Sequence, residues 1–157
     1  MGKGSFLTSP AMKAFGDDRI AEGEKCLVVD LGFCTGMDST FMGTLAGMAA
    51  RLSVVDGGTL QIAEPGERNR RSLEDLGLDF LLEIDPPQAA WRGQLDEVRA
   101  SLVQPEEDTS GARREQAARH VLEAHQNLSQ ANEKNARKFS HVVGLLEAEV
   151  EKESTRN

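Results

Sequence analysis

The side chains best placed to do chemistry are Asp38, Ser39 and Thr40, a carboxylate followed by two hydroxyls. They stand where the apolar run Leu27 to Leu31 and the glycine-bearing loop Gly32 to Gly36 give way to a helix-periodic stretch, Phe41 to Leu52. At the start of a helix, unpaired backbone N–H groups and the dipole favour negative charge, whether from a capping carboxylate or from a phosphate. The simplest chemistry open to the trio is helix capping, worth about 1 kcal/mol. The more consequential one is acceptance of a phosphoryl group by a serine whose added charge the fold can tolerate.

Other chemistries lack their parts. The loop Gly32-Phe33-Cys34-Thr35-Gly36 does not follow the GxGxxG order, and no Gly-Lys-Ser/Thr of a phosphate-binding P-loop occurs. Ser39 has no histidine in its half of the chain and no G-x-S-x-G around it, so a hydrolase is not indicated. His120, His125 and His141 lie in the last third, not four apart, and read as solvated or packing residues. A phosphotransfer helix built on His120 or His125 lacks a recognisable surrounding pattern. Cys26 and Cys34 match no zinc spacing and read as buried, reduced thiols. Neither metal nor cofactor is expected, and the chain does not read as an enzyme.

Regular elements must hold the Asp-Ser-Thr trio in place. Residues 1 to 6 supply at most the stub of a strand. Ser9-Pro10 opens a helix running to about Ala21, with Met12, Phe15 and Ile20 as its apolar face and Gly23 ending it. Cys26 to Leu31 has the near-continuous apolar character of a central strand covered on both faces. In the next helix Phe41, Leu45, Met48 and Leu52 form one stripe, and Gly43, Gly47 and Ala50 a strip of small residues that would allow close approach to a sheet. Asp56-Gly57-Gly58 makes a turn into a strand over Thr59 to Ala63, Pro65 starts a helix stopped by Gly77, and Phe80 to Ile84 reads as a last strand. Strand and helix alternate, which predicts an α/β fold with a largely parallel sheet.

Trp91, Leu95, Val98 and Leu102 repeat at helical spacing beyond Pro86-Pro87, and the segment 104–111 reads as a solvated linker. From Ala112 to about Lys152 the chain has helical character throughout, with a heptad-like seam of Val121, Ala124, Leu128, Ala131, Asn135, Lys138, Val142 and Leu145. Such a seam needs a partner helix, either in a second copy of the chain or in its own second half folded back near Asn132 to Asn135. The organisation is therefore a domain over 1–86, a short helix and acidic linker over 87–110, and a helical extension over 111–157 that could form a homodimer.

The net charge of −8 is concentrated before residue 111, where 10 Lys and Arg face 19 Asp and Glu. An acidic surface repels nucleic acid and anionic lipid. No apolar run reaches transmembrane length and no signal peptide is evident, so the chain reads as cytoplasmic.

The order strand, loop, Met37-Asp38-Ser39-Thr40, Gly43 and apolar helix, glycine turn, then strand at Thr59 to Ala63 resembles the STAS domain of anti-anti-sigma factors and related bacterial partner-switching proteins. Glu67-Arg68-Asn69, Leu73, Leu76-Gly77-Leu78 and Phe80 are similar to that domain's third helix and the turn after it, so the likeness spans about residues 4–85. The resemblance implies a small, largely parallel sheet with helices packed on one side, here with a C-terminal helical extension. It also implies an anti-sigma factor antagonist that binds an anti-sigma factor serine kinase and is switched off by phosphorylation at Ser39, with a cognate phosphatase reversing it. Thr40 is then the secondary acceptor, and Asp38, Ser39, Thr40, Phe41 and Met42 the partner contact. The alternative is a phosphorylation-independent scaffold that assembles through the C-terminal helices.

Overall fold

The computed structural model describes residues 2–102 and 113–155. The segment 104–111, read above as a linker, lies outside the described residues.

Two small parallel sheets form the base. Strand β1 (Gly2–Gly4) pairs with β3 (Cys34–Met37), and β2 (Cys26–Asp30), β4 (Thr59–Ala63) and β5 (Glu83–Ile84) lie in the order β2-β4-β5. Leu27 pairs with Leu60, and Val29 with Ile62, which places these four side chains on one face. Against that face lies helix α2 (Ser39–Ser53), whose Leu45, Met48 and Leu52 join Leu27, Leu60 and Ile62 in the core. Parallel strands joined through a packed helix are the fold class expected from the alternation of elements.

Several local expectations are corrected. Cys26 to Leu31 is not covered on both faces: β2 is an edge strand, Cys26 and Val28 point outward and are exposed, and β4 is the central strand. The stretch Cys34–Met37 is a strand and not a loop, held by backbone pairing with β1. Phe80 to Ile84 is mostly turn: a 3-10 segment over Leu78–Phe80 buries Leu78 and Leu82 and leaves Phe80 exposed, so only Glu83–Ile84 pairs.

Helix α1 (Ser9–Ala21) buries Ser9 and Gly16 and lies on α2 through Gly16, which faces the Met48 side chain, whereas Phe15 faces solvent. Helix α3 (Glu67–Asp75) buries Leu73 and Asn69, and the Asn69 amide donates to the Cys34 carbonyl at 2.8 Å, tying α3 to β3. Helix α4 (Leu95–Ser101) leaves Val98 and Leu102 exposed and meets the domain through Arg99 instead. Arg99 donates to both Asp30 carboxylate oxygens and to Glu64, each at 2.7 Å, and lies 4.9 Å from the Phe33 ring centroid.

The C-terminal extension is a hairpin of α5 (Arg113–Ala131) and α6 (Glu133–Ser154), broken at Asn132. Of the seam, Ala124, Leu128 and Asn135 are buried, while Lys138, Val142 and Leu145 are exposed. Helix α5 packs along α2, and Leu128 and Phe139 complete the core begun by the sheet. The first half of the seam thus finds apolar neighbours inside its own chain, and Val142 and Leu145 in the second half face outward.

Candidate functional site

Asp38 sits in extended backbone at the N-cap of α2. One carboxylate oxygen accepts from the Phe41 N–H and the other from the Phe6 N–H, both at 2.8 Å, while the Asp38 N–H donates to the Gly4 carbonyl at 2.9 Å. A single carboxylate therefore satisfies an orphan donor of the first helical turn and pins the loop after β1 beside it. The backbone strain of a special turn is absent here; an ordinary cap positions everything that follows.

Ser39 is the first residue of α2 and is partly exposed. Its Oγ lies 3.0 Å from Nε2 of His125, which arrives on α5 from 86 residues away. The His125 Nδ1 is 2.8 Å from the Val121 carbonyl oxygen. A carbonyl only accepts, so Nδ1 carries a proton, and in the neutral ring Nε2 is left to accept from the Ser39 hydroxyl. The imidazole is 6 % exposed, and the Phe139 ring stands nearly edge-on to it at 5.6 Å.

Thr40 and Phe41 are buried and Met42 is partly buried. The Phe41 ring packs over Gly4, where a β-carbon would collide with it, and so holds β1 in place. Of the five residues expected at a contact surface, Asp38, Ser39 and Met42 retain exposure, and Thr40 and Phe41 lie behind them.

A second hydroxyl–imidazole contact lies one turn along α5. The Ser9 Oγ is 2.8 Å from the His120 Nε2, with Thr44 Oγ1 farther off at 3.4 Å. Burial holds the His120 imidazole below its ordinary pKa, against the pull of Glu123. The crevice lined by Lys13, Thr44, Arg51, His120 and Glu123 is too tight to admit water. A serine beside a base is the starting geometry for nucleophilic activation. At Ser39, however, the base His125 is oriented by a backbone carbonyl, buried, and backed by Phe139, an arrangement suited to holding the hydroxyl and not to presenting it to a substrate.

Sequence reasoning placed the histidines away from Ser39 and missed the pairing. The available signal was the seam itself: His125 follows Ala124, and whatever helix met the Val121, Ala124, Leu128 stripe would also meet His125. Among the described residues no cluster of three or more His, Cys, Asp or Glu side chains could hold a metal ion, and no helix is long and apolar enough to cross a membrane.

No known family profile matches the chain, and no curated protein matches it. Among solved structures, the fold is similar to that of a "putative anti-sigma factor antagonist" from Thermotoga maritima, with a TM-score of 0.51 and 20% identity over 62% of this chain and 81% of that one. At that identity the likeness establishes the fold.

Proposed function

We propose that the chain is a cytoplasmic regulator of the anti-sigma factor antagonist type, which binds an anti-sigma serine kinase and is released from it by phosphorylation at Ser39. The observation that carries this reading is a serine at the first position of α2, behind an Asp38 N-cap, in a fold similar to that of a protein described as a "putative anti-sigma factor antagonist". Asp38 orients the turn and, with Ser39 and Met42, forms the exposed contact. Thr40, buried at the same turn, is the secondary acceptor. The chain is acted upon and does not itself catalyse. A cognate phosphatase resets it.

The physics of the switch is local. A phosphoryl group adds about −1.5 to −2 charges and three strong acceptors. Beside the α2 N-terminus the dipole tolerates that charge within the fold, while a partner surface pressed against it must desolvate both the phosphate and the Asp38 carboxylate. Binding weakens while the sheet and α2 stay folded. The excess of acid before residue 111 sharpens the repulsion.

The test is to isolate the protein from its own host and map phosphate by mass spectrometry, then to compare kinase binding by the wild type and Ser39→Asp. Phosphate at Ser39 and loss of binding by Ser39→Asp are expected. Absence of phosphate from both Ser39 and Thr40, with unchanged binding by Ser39→Asp, would overturn the switch.

A further inference from the structure

We infer that the α5–α6 hairpin is an intramolecular gate on the Ser39 site. It is seated on α2 in the resting chain with the Ser39 hydroxyl held by His125, and it must swing off before that hydroxyl is freed for modification or the Gly43–Gly47 strip of α2 can meet a partner. The inference rests on the reading of Ser39 as a modified residue, but the gate itself stands on contacts that do not depend on it.

The first observation is the fit of α5 on α2. A β-carbon at Gly43 would collide with the backbone carbonyl of Ala124, and one at Gly47 with the side-chain amide of Asn127. Interhelical distance is set by the side chains at the contact, so glycine opposite alanine brings the two backbones unusually close. The strip of small residues on α2 is thus a docking groove for a helix backbone, and α5 is its occupant.

The second observation is what that seat does to Ser39. With α5 in place the hydroxyl is committed to the His125 imidazole, which is buried and backed by Phe139. A phosphoryl group on Oγ takes the place of the proton that Nε2 accepts, so modification breaks the bond that ties the hairpin to Ser39. By linkage, whatever favours the seated hairpin disfavours modification, and the reverse.

The third observation is how the hairpin is held. Its contacts with the rest of the chain include many polar ones: His125 on Ser39, His120 on Ser9, the Lys13–Glu123 ion pair at 3.5 Å, and Asn132 and Asn135 on the Leu76 carbonyl. Its buried apolar contribution comes mainly from Ala124, Leu128 and Phe139. Leu27, Leu45, Leu52, Leu60, Ile62 and Leu73, from the sheet, α2 and α3, make up the larger part of the buried cluster that Leu128 and Phe139 join. A unit that contributes few apolar side chains to the core and is otherwise held by polar contacts opens at lower free energy than the core beneath it.

The test uses the full chain carrying Ser39→Cys, with and without Gly43→Ala, and reads the labelling rate of the new thiol by a soluble maleimide, resolved by peptide mass spectrometry. Hydrogen exchange is followed in parallel. Gly43→Ala favours the α2 helix itself and obstructs only the seat of α5. Expected are slow labelling at position 39 in the single variant, at least about tenfold faster labelling in the double variant, and loss of α5–α6 protection while β2 and β4 stay protected. Equal labelling in the two proteins would overturn the gate. So would loss of sheet protection together with the hairpin, because the hairpin would then be an inseparable part of the core. If the gate opens as expected but Ser39 carries no phosphate in the host, the gate stands and the switch reading falls.

Discussion

The Ser39 hydroxyl and the His125 imidazole, 86 residues apart in sequence, share a hydrogen bond of 3.0 Å that closes the C-terminal hairpin over the start of α2. Replacing His125 by alanine removes that bond and the edge contact with Phe139. A cost of about 1–3 kcal/mol is expected, because one hydrogen bond and part of an aromatic contact are lost at a buried site. Urea unfolding measures the cost. The same variant should raise amide exchange at the α5 end of the hairpin more than in β4.

Asp38 spends both carboxylate oxygens on backbone N–H groups, those of Phe41 and Phe6. Asp38→Ala should therefore cost about 1–2 kcal/mol, at the upper end for an N-cap. For a chain of this size that corresponds to a fall in Tm of roughly 2–7 °C. Asp38→Asn retains one good acceptor and should fall between. Exchange of the Phe6 and Phe41 amides should accelerate together in Asp38→Ala, whereas a cap without the loop contact would release Phe41 alone.

The site was half legible in the sequence, and the reason lies in what carries each half. Asp38, Ser39 and the apolar stripe of α2 belong to a contiguous segment with helical periodicity, so their placement follows from local rules. His125 reaches Ser39 only because α5 finds the small-residue strip of α2, a tertiary event that no local window contains. Strand β3 escaped notice for a related reason: Cys34–Met37 lacks β-type alternation and is held by the backbone of Gly2–Gly4. At Phe80–Ile84 an apolar run read as a strand is a turn that buries Leu78 and Leu82 four apart. Asn135 was legible as a polar interruption of the seam, but its partner, the carbonyl of Leu76, was not.

His120 is held below its ordinary pKa of 6.5 chiefly by burial, with Lys13 adding to the effect and Glu123 and Asp38 opposing it. The hydroxyls of Ser9 and Thr44 face the ring. Because the folded pKa is the lower one, the unfolded chain takes up the proton first. The stabilising contribution is complete above about pH 6.5 and is lost as pH falls through the folded value. Stability from urea titrations should therefore decline from pH 7.5 to 5.5, a window in which ordinary carboxylates keep their charge. His120→Gln should flatten that slope.

Arg99 clasps the outlet of the sheet, bridging Asp30 at the end of β2 and Glu64 after β4. Its hydrogen bonds hold the Asp30 carboxyl below the usual range. Arg99→Leu should cost about 1–2 kcal/mol, since the carboxylates it leaves are partly exposed and rehydrate. Trp91 reports the local consequence, because its indole N–H donates to the Gln61 side chain at 2.8 Å on the same face of the domain. Its emission should shift to the red in Arg99→Leu at denaturant concentrations that leave β4 folded. In the wild type the clasp should weaken only in acid, as pH falls from the unfolded aspartate value near 3.8 through the lowered folded one.

The break between α5 and α6 is fixed by two asparagines with different jobs. Asn132 caps α6 by accepting from the Asn135 N–H at 2.9 Å and donates its amide to the Leu76 carbonyl. Asn135, fully buried, donates to the same carbonyl at 2.8 Å, and its Oδ1 has no hydrogen-bond partner among the described residues. Asn132→Ala should therefore cost about 1–2 kcal/mol, as the loss of a cap and one shared bond. Asn135→Asp should cost more, about 2–4 kcal/mol, because it replaces the donor by a buried carboxylate aimed at a carbonyl oxygen. Asn135→Leu removes the unpaired acceptor while Asn132 still serves Leu76, so its cost should stay below that of Asn135→Asp. The ordering, Asn135→Asp worse than Asn132→Ala and Asn135→Leu milder than Asn135→Asp, would be read from urea midpoints at pH 7. If Asn135→Asp instead matches Asn135→Leu, the hairpin turn is not seated on Leu76 in solution. Light scattering on Asn135→Asp then separates a loosened hairpin, which stays monomer-sized, from one whose helices have straightened and paired with a second copy.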